Sequence, residues 1–138
     1  MIDITETIAA LIDKQDVALI SSIDETGYPN TKAMLAPRKR ESIKTFWFTT
    51  NTSSKRVAQY RCNPKACIYF FDGSYHGVML KGAMEVLEDA ASKKMIWQQG
   101  DTLYYPQGVN DPDYCVLKFT AQTARYYANF SSEDFEIL

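Results

Sequence analysis

The chain has 138 residues, a formal net charge of −2 and an aromatic content of 13%. Its length fits one domain spanning residues 1–138 and is too short for two. The absence of a basic excess argues against a nucleic-acid partner, and no apolar run approaches the roughly 20 residues of a membrane-spanning helix. The three cysteines show no metal-ligand spacing. We therefore expect reduced thiols, no metal site and a cytoplasmic protein.

The first third of the chain predicts a helix followed by a β-hairpin. Apolar residues recur every three or four positions in residues 3–14, which predicts an amphipathic helix. Val17 to Ile23 has the alternation of a strand, and Asp24 to Gly27 is a turn that returns the chain into a second strand near Tyr28 to Ala36. The charged segment Pro37 to Ser42 is predicted to be an exposed loop.

The stretch from Phe46 to Arg56 predicts a buried strand that leads directly into a helix. Three consecutive aromatic residues suit a packed strand, and the polar residues after them are good helix N-caps. A helix N-terminus offers free N–H groups and about half a positive charge, which together favour an anion. Two hydroxyls and two cations complete a receptor for a phosphate monoester: Thr50, Ser54, Lys55 and Arg56. The alternative interpretation is an ordinary capped helix with a solvated basic pair.

The second half of the chain predicts further strands. Ala66 to Phe71 and Gly77 to Leu87 read as strands, and Gly82 within the longer one indicates a bulge, a bend or a close approach. Asp89 is expected to cap a helix that runs to about Gln98, and Tyr114 to Phe130 supplies one or two final strands. Strands that meet at tight turns predict a mainly β fold with short flanking helices, arranged as a closed or nearly closed antiparallel barrel.

Several short motifs stand in a fixed order along the chain. They are Thr26-Gly27-Tyr28-Pro29, Lys32-Ala33-Met34, the Phe46 to Arg56 stretch followed by Asn63-Pro64, Leu80-Lys81-Gly82-Ala83, and the run from Tyr105 to Asp113. Each motif is unspecific alone. Their order and spacing resemble the FMN-binding split β-barrel proteins related to pyridoxamine 5′-phosphate oxidase, and within them the general stress protein 26 group. The resemblance extends from Val17 to Tyr127.

The resemblance implies a homodimer with FMN bound at the subunit interface. The residues that it assigns to the cofactor are Lys32, Ala33, Met34, Thr49, Thr50, Ser54, Lys55, Arg56 and Tyr127. Relatives often carry Arg at the position of Lys32, where lysine keeps the charge near the flavin N1/O2 edge but loses the planar fork. Tyr127 would reach the flavin of the partner subunit. Thr49 and Thr50 alternate along the strand, so only one of them should face the ligand fully.

Two features depart from a true pyridoxamine phosphate oxidase. Such an oxidase has further Arg and His residues after the C-terminal aromatic, whereas residues 131–137 here are acidic and contain no cation. This acidic tail would repel a phosphorylated substrate. Gly77 stands where the oxidase has a polar side chain that contacts the flavin. Vitamin B6 phosphates are therefore not expected as substrates.

The sequence leaves several functions open, because fold alone does not choose among them. The first is an FMN-dependent oxidoreductase that acts on a small organic substrate and is linked to a stress response. The second is a stress protein that binds or sequesters flavin without turnover, and the third is a haem- or deazaflavin-binding relative. No dedicated acid, base or nucleophile is evident, so the catalytic residues are unknown. His76, the only histidine, is either an exposed turn residue or a catalytic or haem-ligating one.

Overall fold

The computed structural model describes residues 3–138, which form three α-helices and eight strands. The helices are α1 (Ile4–Asp13), α2 (Lys55–Cys62) and α3 (Ala90–Ile96). The strands are β1 (Val17–Ile23), β2 (Pro29–Leu35), β3 (Lys39–Glu41), β4 (Thr45–Asn51), β5 (Lys65–Phe71), β6 (Gly77–Leu87), β7 (Tyr114–Ala128) and β8 (Ser131–Glu136). Two short 3₁₀ turns, Asp101–Leu103 and Gly108–Asn110, lie in the connector between α3 and β7.

All strands pair antiparallel in the order β2-β1-β5-β6-β7-β4-β3, and β8 pairs with the second half of β7. The segment between β2 and β3 links the two ends of this sheet. The Ala36 N–H donates to the Asp16 carbonyl beside β1 (3.0 Å), and the Arg38 N–H donates to the Trp47 carbonyl on β4 (2.8 Å). Only residues 36–38 separate β2 from β3, so the two ends of the sheet lie close together and the sheet is curled. This confirms the predicted antiparallel split β-barrel.

The aromatic strand β4 contributes to two separate cores. Phe46 and Phe48 face the barrel interior, which is filled with apolar side chains from β1, β5, β6, β7 and the first two helices. Trp47 faces the other side and packs in a second cluster under α3 with Ile96, Tyr105, Tyr114 and Val116. Because successive strand residues point to opposite faces, three aromatics in a row can be buried only if both faces are covered.

Gly82 marks an irregularity in β6, as its position within a strand predicts. The register between β6 and β7 shifts between Lys81 and Gly82. A Cβ at Gly82 would collide with the Thr120 carbonyl of β7. The glycine therefore permits both a bulge and a close approach of two backbones, and the long strand bends there.

Three sequence expectations need correction. Residues 37–42 are not simply an exposed loop, because they contain β3, and the side chains of Arg38 and Arg40 bind Asp101 and Asp13. Helix α3 ends at Ile96, before the expected Gln98. The acidic C-terminal segment forms β8. Within residues 3–138, no helix has the length and apolar character needed to cross a membrane.

Candidate functional site

The junction of β4 and α2 places the predicted phosphate-binding residues together. Ser54 is the N-cap of α2, and its Oγ accepts a hydrogen bond from the Val57 N–H (3.3 Å). Lys55 and Arg56 are the first two helical residues, and no acidic residue lies in that first turn. The positive end of the helix dipole and two cations therefore share one location, which favours an anion.

Two buried polar atoms at this junction have no hydrogen-bond partner within residues 3–138. Arg56 donates from Nη2 to Thr50 Oγ1 (3.1 Å), but its Nε is buried and unpartnered. The Thr52 hydroxyl is also buried without a partner, although the Cys115 thiol, a weak one at best, lies near it. Both atoms are covered by protein, so each carries a desolvation cost in this conformation, and neither can contact a ligand unless the junction moves locally.

Asp113, which precedes β7, fastens the loop between β4 and α2. Its carboxylate accepts from the Asn51 side-chain amide (2.8 Å) and from the Ser53 N–H (2.8 Å), and its carbonyl accepts from the Thr52 N–H (2.8 Å). These hydrogen bonds, led by the one from Asn51, hold the pKa of Asp113 below its usual range. Sequence reasoning did not assign this residue, although it closes the quoted motif that runs from Tyr105.

Thr49 and Thr50 face opposite sides of β4, as strand alternation requires. Thr50 is almost fully buried on the side of Arg56. Thr49 lies beside Tyr105 in the second core, where burial raises the pKa of Tyr105 to about 12 and the nearby Thr49 hydroxyl partly offsets the rise. Of the two threonines, Thr50 is therefore the one that contacts a cation at the start of α2. Thr49 helps to fix the strand from behind.

The predicted ring-binding segment lies on β2, an edge strand of the sheet. Lys32 pairs with Ile20 of β1, and Met34 pairs with Ala18. Both partners are fully buried, so Lys32 and Met34 have the inward-facing register of the core. Met34 packs partly against that core, whereas Lys32 and Ala33 are exposed. This part of the inner wall is open because β2 has β1 as its strand partner on one side only.

Helix α2 closes the barrel end next to this opening. The Tyr60 hydroxyl donates to the Ser21 carbonyl of β1 (3.1 Å), and burial raises the pKa of that hydroxyl. The Gln59 side chain accepts a hydrogen bond from the Ser22 hydroxyl. Ser21 pairs with Thr31 on β2, so a single strand separates α2 from the segment that contains Lys32. The second half of α2 thus lies against β1, the strand that pairs with the segment containing Lys32.

Tyr127 lies far from the junction of β4 and α2 in its own chain. Thr50 is paired with Cys115 near the start of β7, and Tyr127 is near the end of that strand, roughly 40 Å away along it at about 3.3 Å per residue. Tyr127 pairs with Gly77, and the ring of Tyr69 fills the space that a Cβ at Gly77 would need. A contact between Tyr127 and a ligand held by Arg56 would therefore require a second subunit.

His76 lies in the turn between β5 and β6 and belongs neither to the β4–α2 junction nor to the opening beside β2. Its Nδ1 is 2.8 Å from Asp72 Oδ2, and both side chains are about one-third exposed (36% and 32%). The pairing with His76 lowers the pKa of Asp72. A carboxylate on Nδ1 fixes the ring orientation and leaves Nε2 directed elsewhere. His76 is thus not a free turn residue.

The fold defines a split β-barrel protein whose β4–α2 junction carries two cations at a helix N-terminus. Comparison with known proteins then identifies the family of the chain. The family model of pyridoxamine 5′-phosphate oxidase matches residues 4–128, and the chain belongs to that family. The crystal structure of a protein related to general stress protein 26 from Clostridium acetobutylicum is 40% identical, with a TM-score of 0.89 and coverage of 99% of this chain and 97% of that one.

More distant structures share the fold. General stress protein 26 from Bacillus anthracis is 18% identical with a TM-score of 0.81, and the match covers 99% of this chain and all of that one (100%). A haem-binding protein from Mycobacterium smegmatis is 13% identical with a TM-score of 0.77, covering 99% of this chain and 59% of that one. A search of curated proteins gave no match. The family and general stress protein 26 resemblances inferred from the motifs are confirmed.

Proposed function

We propose that the protein binds FMN and acts as a flavin-dependent oxidoreductase on a small organic molecule. The observation that supports this most directly is the first turn of α2, where the Arg56 guanidinium and the helix N–H groups lie at the positive end of the helix dipole with no acidic residue beside them. A phosphate monoester offers several acceptor oxygens and two negative charges, which match these donors and the adjacent Lys55. Membership of the pyridoxamine 5′-phosphate oxidase family makes a flavin phosphate the natural candidate.

In this proposal each group of predicted residues has a separate task. Thr50, Ser54, Lys55 and Arg56 hold the phosphate, with Thr49 supporting the strand behind them. Lys32, Ala33 and Met34 border the isoalloxazine ring in the opening beside β2, where Lys32 places a cation close to the ring edge. A cation there favours negative charge on the ring and so shifts its reduction potential. The bound flavin supplies the hydride or electron transfer.

We further propose that the protein is a homodimer whose subunits share each flavin site. Five apolar side chains on one face of the sheet are between 37% and 53% exposed: Val17, Leu35, Tyr69, Phe71 and Tyr127. Their register places them on the same face, because Val17 pairs with Leu35 and Gly77 pairs with both Phe71 and Tyr127. A continuous apolar face of this kind is typical of an interaction surface. A second copy on it would also bring Tyr127 toward the flavin of its partner.

Haem binding is a second candidate, and one observation favours it. The His76 ring is held by Asp72 through Nδ1, the arrangement in which metal-bound histidines are usually oriented. A structural neighbour from Mycobacterium smegmatis is named a haem-binding protein. The absorbance spectrum of the purified protein separates the two candidates, since flavin and haem absorb differently. A Soret band that disappears in His76→Ala would replace the flavin proposal.

The flavin proposal is tested by comparing FMN with riboflavin, which lacks the phosphate. The double substitution Lys55→Ala/Arg56→Ala removes two charge-assisted contacts, each worth roughly 1.5–3 kcal/mol, so FMN affinity should fall at least about tenfold. Riboflavin should bind the original protein weakly and lose little more. Lys93→Ala/Lys94→Ala on α3 removes the same charge elsewhere and should leave FMN affinity unchanged. Unaltered FMN affinity in the first variant would contradict the proposed site.

Turnover is a separate question from binding. A flavin-binding stress protein that sequesters the cofactor would bind FMN in the same way without catalysing a reaction. Steady-state reduction of the FMN-loaded protein by a nicotinamide donor, with and without small organic acceptors such as quinones or nitroaromatics, distinguishes the two. Acceptor-dependent turnover supports an oxidoreductase. Tight binding without turnover for any donor and acceptor supports sequestration.

A further inference from the structure

We infer that Asp113 is a positioning residue that holds the loop before α2, residues 51–53, and so fixes the helix N-terminus that binds the phosphate in the proposed site. This inference rests on the proposed FMN site. Asp113 itself is acidic, and a carboxylate next to a phosphate would repel it, so a role as a direct ligand is excluded by charge. Its contribution must come from the geometry that it imposes on the loop.

The contacts of Asp113 reach every residue of that loop. The carboxylate and carbonyl of Asp113 accept from Asn51, Thr52 and Ser53, all at 2.8 Å. The Ser54 N–H donates to the Asn51 carbonyl (3.0 Å), so the loop is also closed on itself up to the helix N-cap. Thr52 and Ser53 therefore have their N–H groups occupied. The donors left for a ligand are the Lys55 and Arg56 side chains and the first amides of α2, which lack intrahelical partners.

Asp113 is in turn held in place by the segment before it. Asp111 is only 5% exposed, and its carboxylate accepts from the Gln107 N–H (3.0 Å) and the Asp113 N–H (2.9 Å). Pro112 lies between the two acids and restricts the backbone there. Asp111 thus builds the turn of the connector, and Asp113 extends from that turn to the loop. This division of tasks explains why the sequence has two aspartates separated by a proline.

In this arrangement Asp113 fixes the loop, and other residues bind the anion. The charge of Asp113 is compensated by hydrogen bonds from two loop residues, and the pKa of its carboxyl is lowered accordingly. Without that acceptor, the Ser53 N–H and the Asn51 amide lose their partner and the loop gains other conformations. The N-cap Ser54 and the first turn of α2, which follow this loop, would then lose their fixed position beside β4. Phosphate recognition should therefore depend on Asp113 although no contact between them is needed.

The first test is Asp113→Ala, with Asp89→Ala as the matched control. Asp89 caps α3 by accepting from the Ser92 N–H (2.9 Å), so its loss removes a similar loop hydrogen bond away from the site. Asp113→Ala should lower FMN affinity about tenfold, leave riboflavin affinity within about twofold, and speed amide hydrogen exchange at Thr52 and Ser53 in the ligand-free protein. Asp89→Ala should change none of these three quantities.

The second test exchanges the two side chains that contact each other. In Asn51→Asp/Asp113→Asn, the amide introduced at position 113 accepts from the Ser53 N–H through its oxygen and donates through its nitrogen to the new carboxylate at position 51. Both hydrogen bonds and the net charge are kept, so this variant should recover most of the FMN affinity that Asp113→Ala loses. A swapped variant that binds FMN no better than Asp113→Ala would overturn the hydrogen-bond assignment.

The outcomes distinguish this inference from the proposed function. If Lys55→Ala/Arg56→Ala weakens FMN binding but Asp113→Ala does not, the positioning role is wrong and the phosphate site stands. If Asp113→Ala weakens FMN and riboflavin binding equally, Asp113 stabilises the fold in general, and the inference is overturned. If neither variant affects FMN while exchange at Thr52 and Ser53 still rises in Asp113→Ala, the loop is held as described and the FMN proposal fails.

Discussion

At the scale of single residues, the Thr52 hydroxyl allows a test of how a buried, unpartnered polar group affects stability. It is buried without a partner in the described part of the chain. Thr52→Val replaces the hydroxyl with a methyl group of similar shape, so the unsatisfied group and its desolvation cost disappear. We predict that the free energy of unfolding of the ligand-free protein rises by about 1 kcal/mol in urea denaturation.

Thr50→Val is the matched control for this prediction. Thr50 is buried, and its hydroxyl accepts a hydrogen bond from Arg56 Nη2 (3.1 Å). Its loss leaves a guanidinium N–H without an acceptor, so the unfolding free energy should fall by about 1–2 kcal/mol. Opposite signs for the two substitutions would show that the Thr50 hydroxyl stabilises the ligand-free fold and that the Thr52 hydroxyl does not. A loss of stability in both variants would contradict this assignment.

At the scale of secondary-structure elements, the ion pair between Arg38 and Asp101 ties the connector before β7 to the segment between β2 and β3. Arg38 donates to Asp101 through Nη1 (2.9 Å) and Nη2 (2.7 Å), and also to the Ile96 carbonyl at the end of α3 (3.2 Å). Asp101→Asn leaves the nearly buried guanidinium without a counter-charge. We predict a loss of about 3 kcal/mol in unfolding free energy at pH 7, measured by urea denaturation.

The pH dependence of this loss follows from the pKa of Asp101. Arg38 lowers the pKa of that carboxyl below its value in the unfolded chain, which is near 3.8. The stabilisation is therefore fully present above that value and is lost as the pH falls through the lower pKa of the folded state. The difference in unfolding free energy between the original protein and Asp101→Asn should therefore become smaller below about pH 4. Asp13→Asn at the more exposed Arg40 pair should cost less than about 1 kcal/mol at any pH.

Gly82 determines whether β6 and β7 can approach each other at the bulge. Because a Cβ at Gly82 would collide with the Thr120 carbonyl, Gly82→Ala must displace one of the two strands. We predict a loss of about 2–3 kcal/mol in unfolding free energy, the range typical of overpacking. Gly73→Ala in the β5–β6 turn, where no atom lies within 4 Å of the new Cβ, is the control. A Gly82→Ala variant as stable as the control would exclude the close approach.

The elements that the sequence predicts well are those determined by local patterns. The limits of β1 and β6 follow from strand alternation and nearby turns, and the bulge follows from a glycine within a strand. The ordered structure of residues 37–42 cannot be predicted from the neighbouring sequence, because the partner that fixes Arg38 is Asp101, 63 residues later. The role of Asp113 is hidden for the same reason, since it acts on Ser53, 60 residues earlier. Strand β8 has little apolar character and forms because the edge of β7 offers it hydrogen bonds.

At the scale of the whole molecule, the exposed apolar face suggests that one subunit is not the functional unit. Phe71 is 51% exposed and stacks on Tyr69, with ring centroids 5.7 Å apart. Both rings occupy the centre of the face between Leu35 and Tyr127. Obligate interfaces often bury upwards of about 2,000 Å² in total, so aromatic residues at such a centre should contribute strongly to association.

The last prediction is that Phe71→Glu converts a dimer into a monomer. In the isolated subunit the side chain is half exposed, so this substitution should cost less than about 1 kcal/mol of subunit stability. In the dimer, the carboxylate would be buried without a partner at the interface, which is far more costly. Light scattering coupled to size exclusion should give a mass near twice 15.7 kDa for the original protein and near 15.7 kDa for the variant. Met95→Glu on α3, where Met95 is 44% exposed, should remain dimeric.

If Tyr127 completes the site of its partner, monomeric Phe71→Glu should also bind FMN more weakly. A stable monomer of the original chain that binds FMN tightly would remove that role from Tyr127.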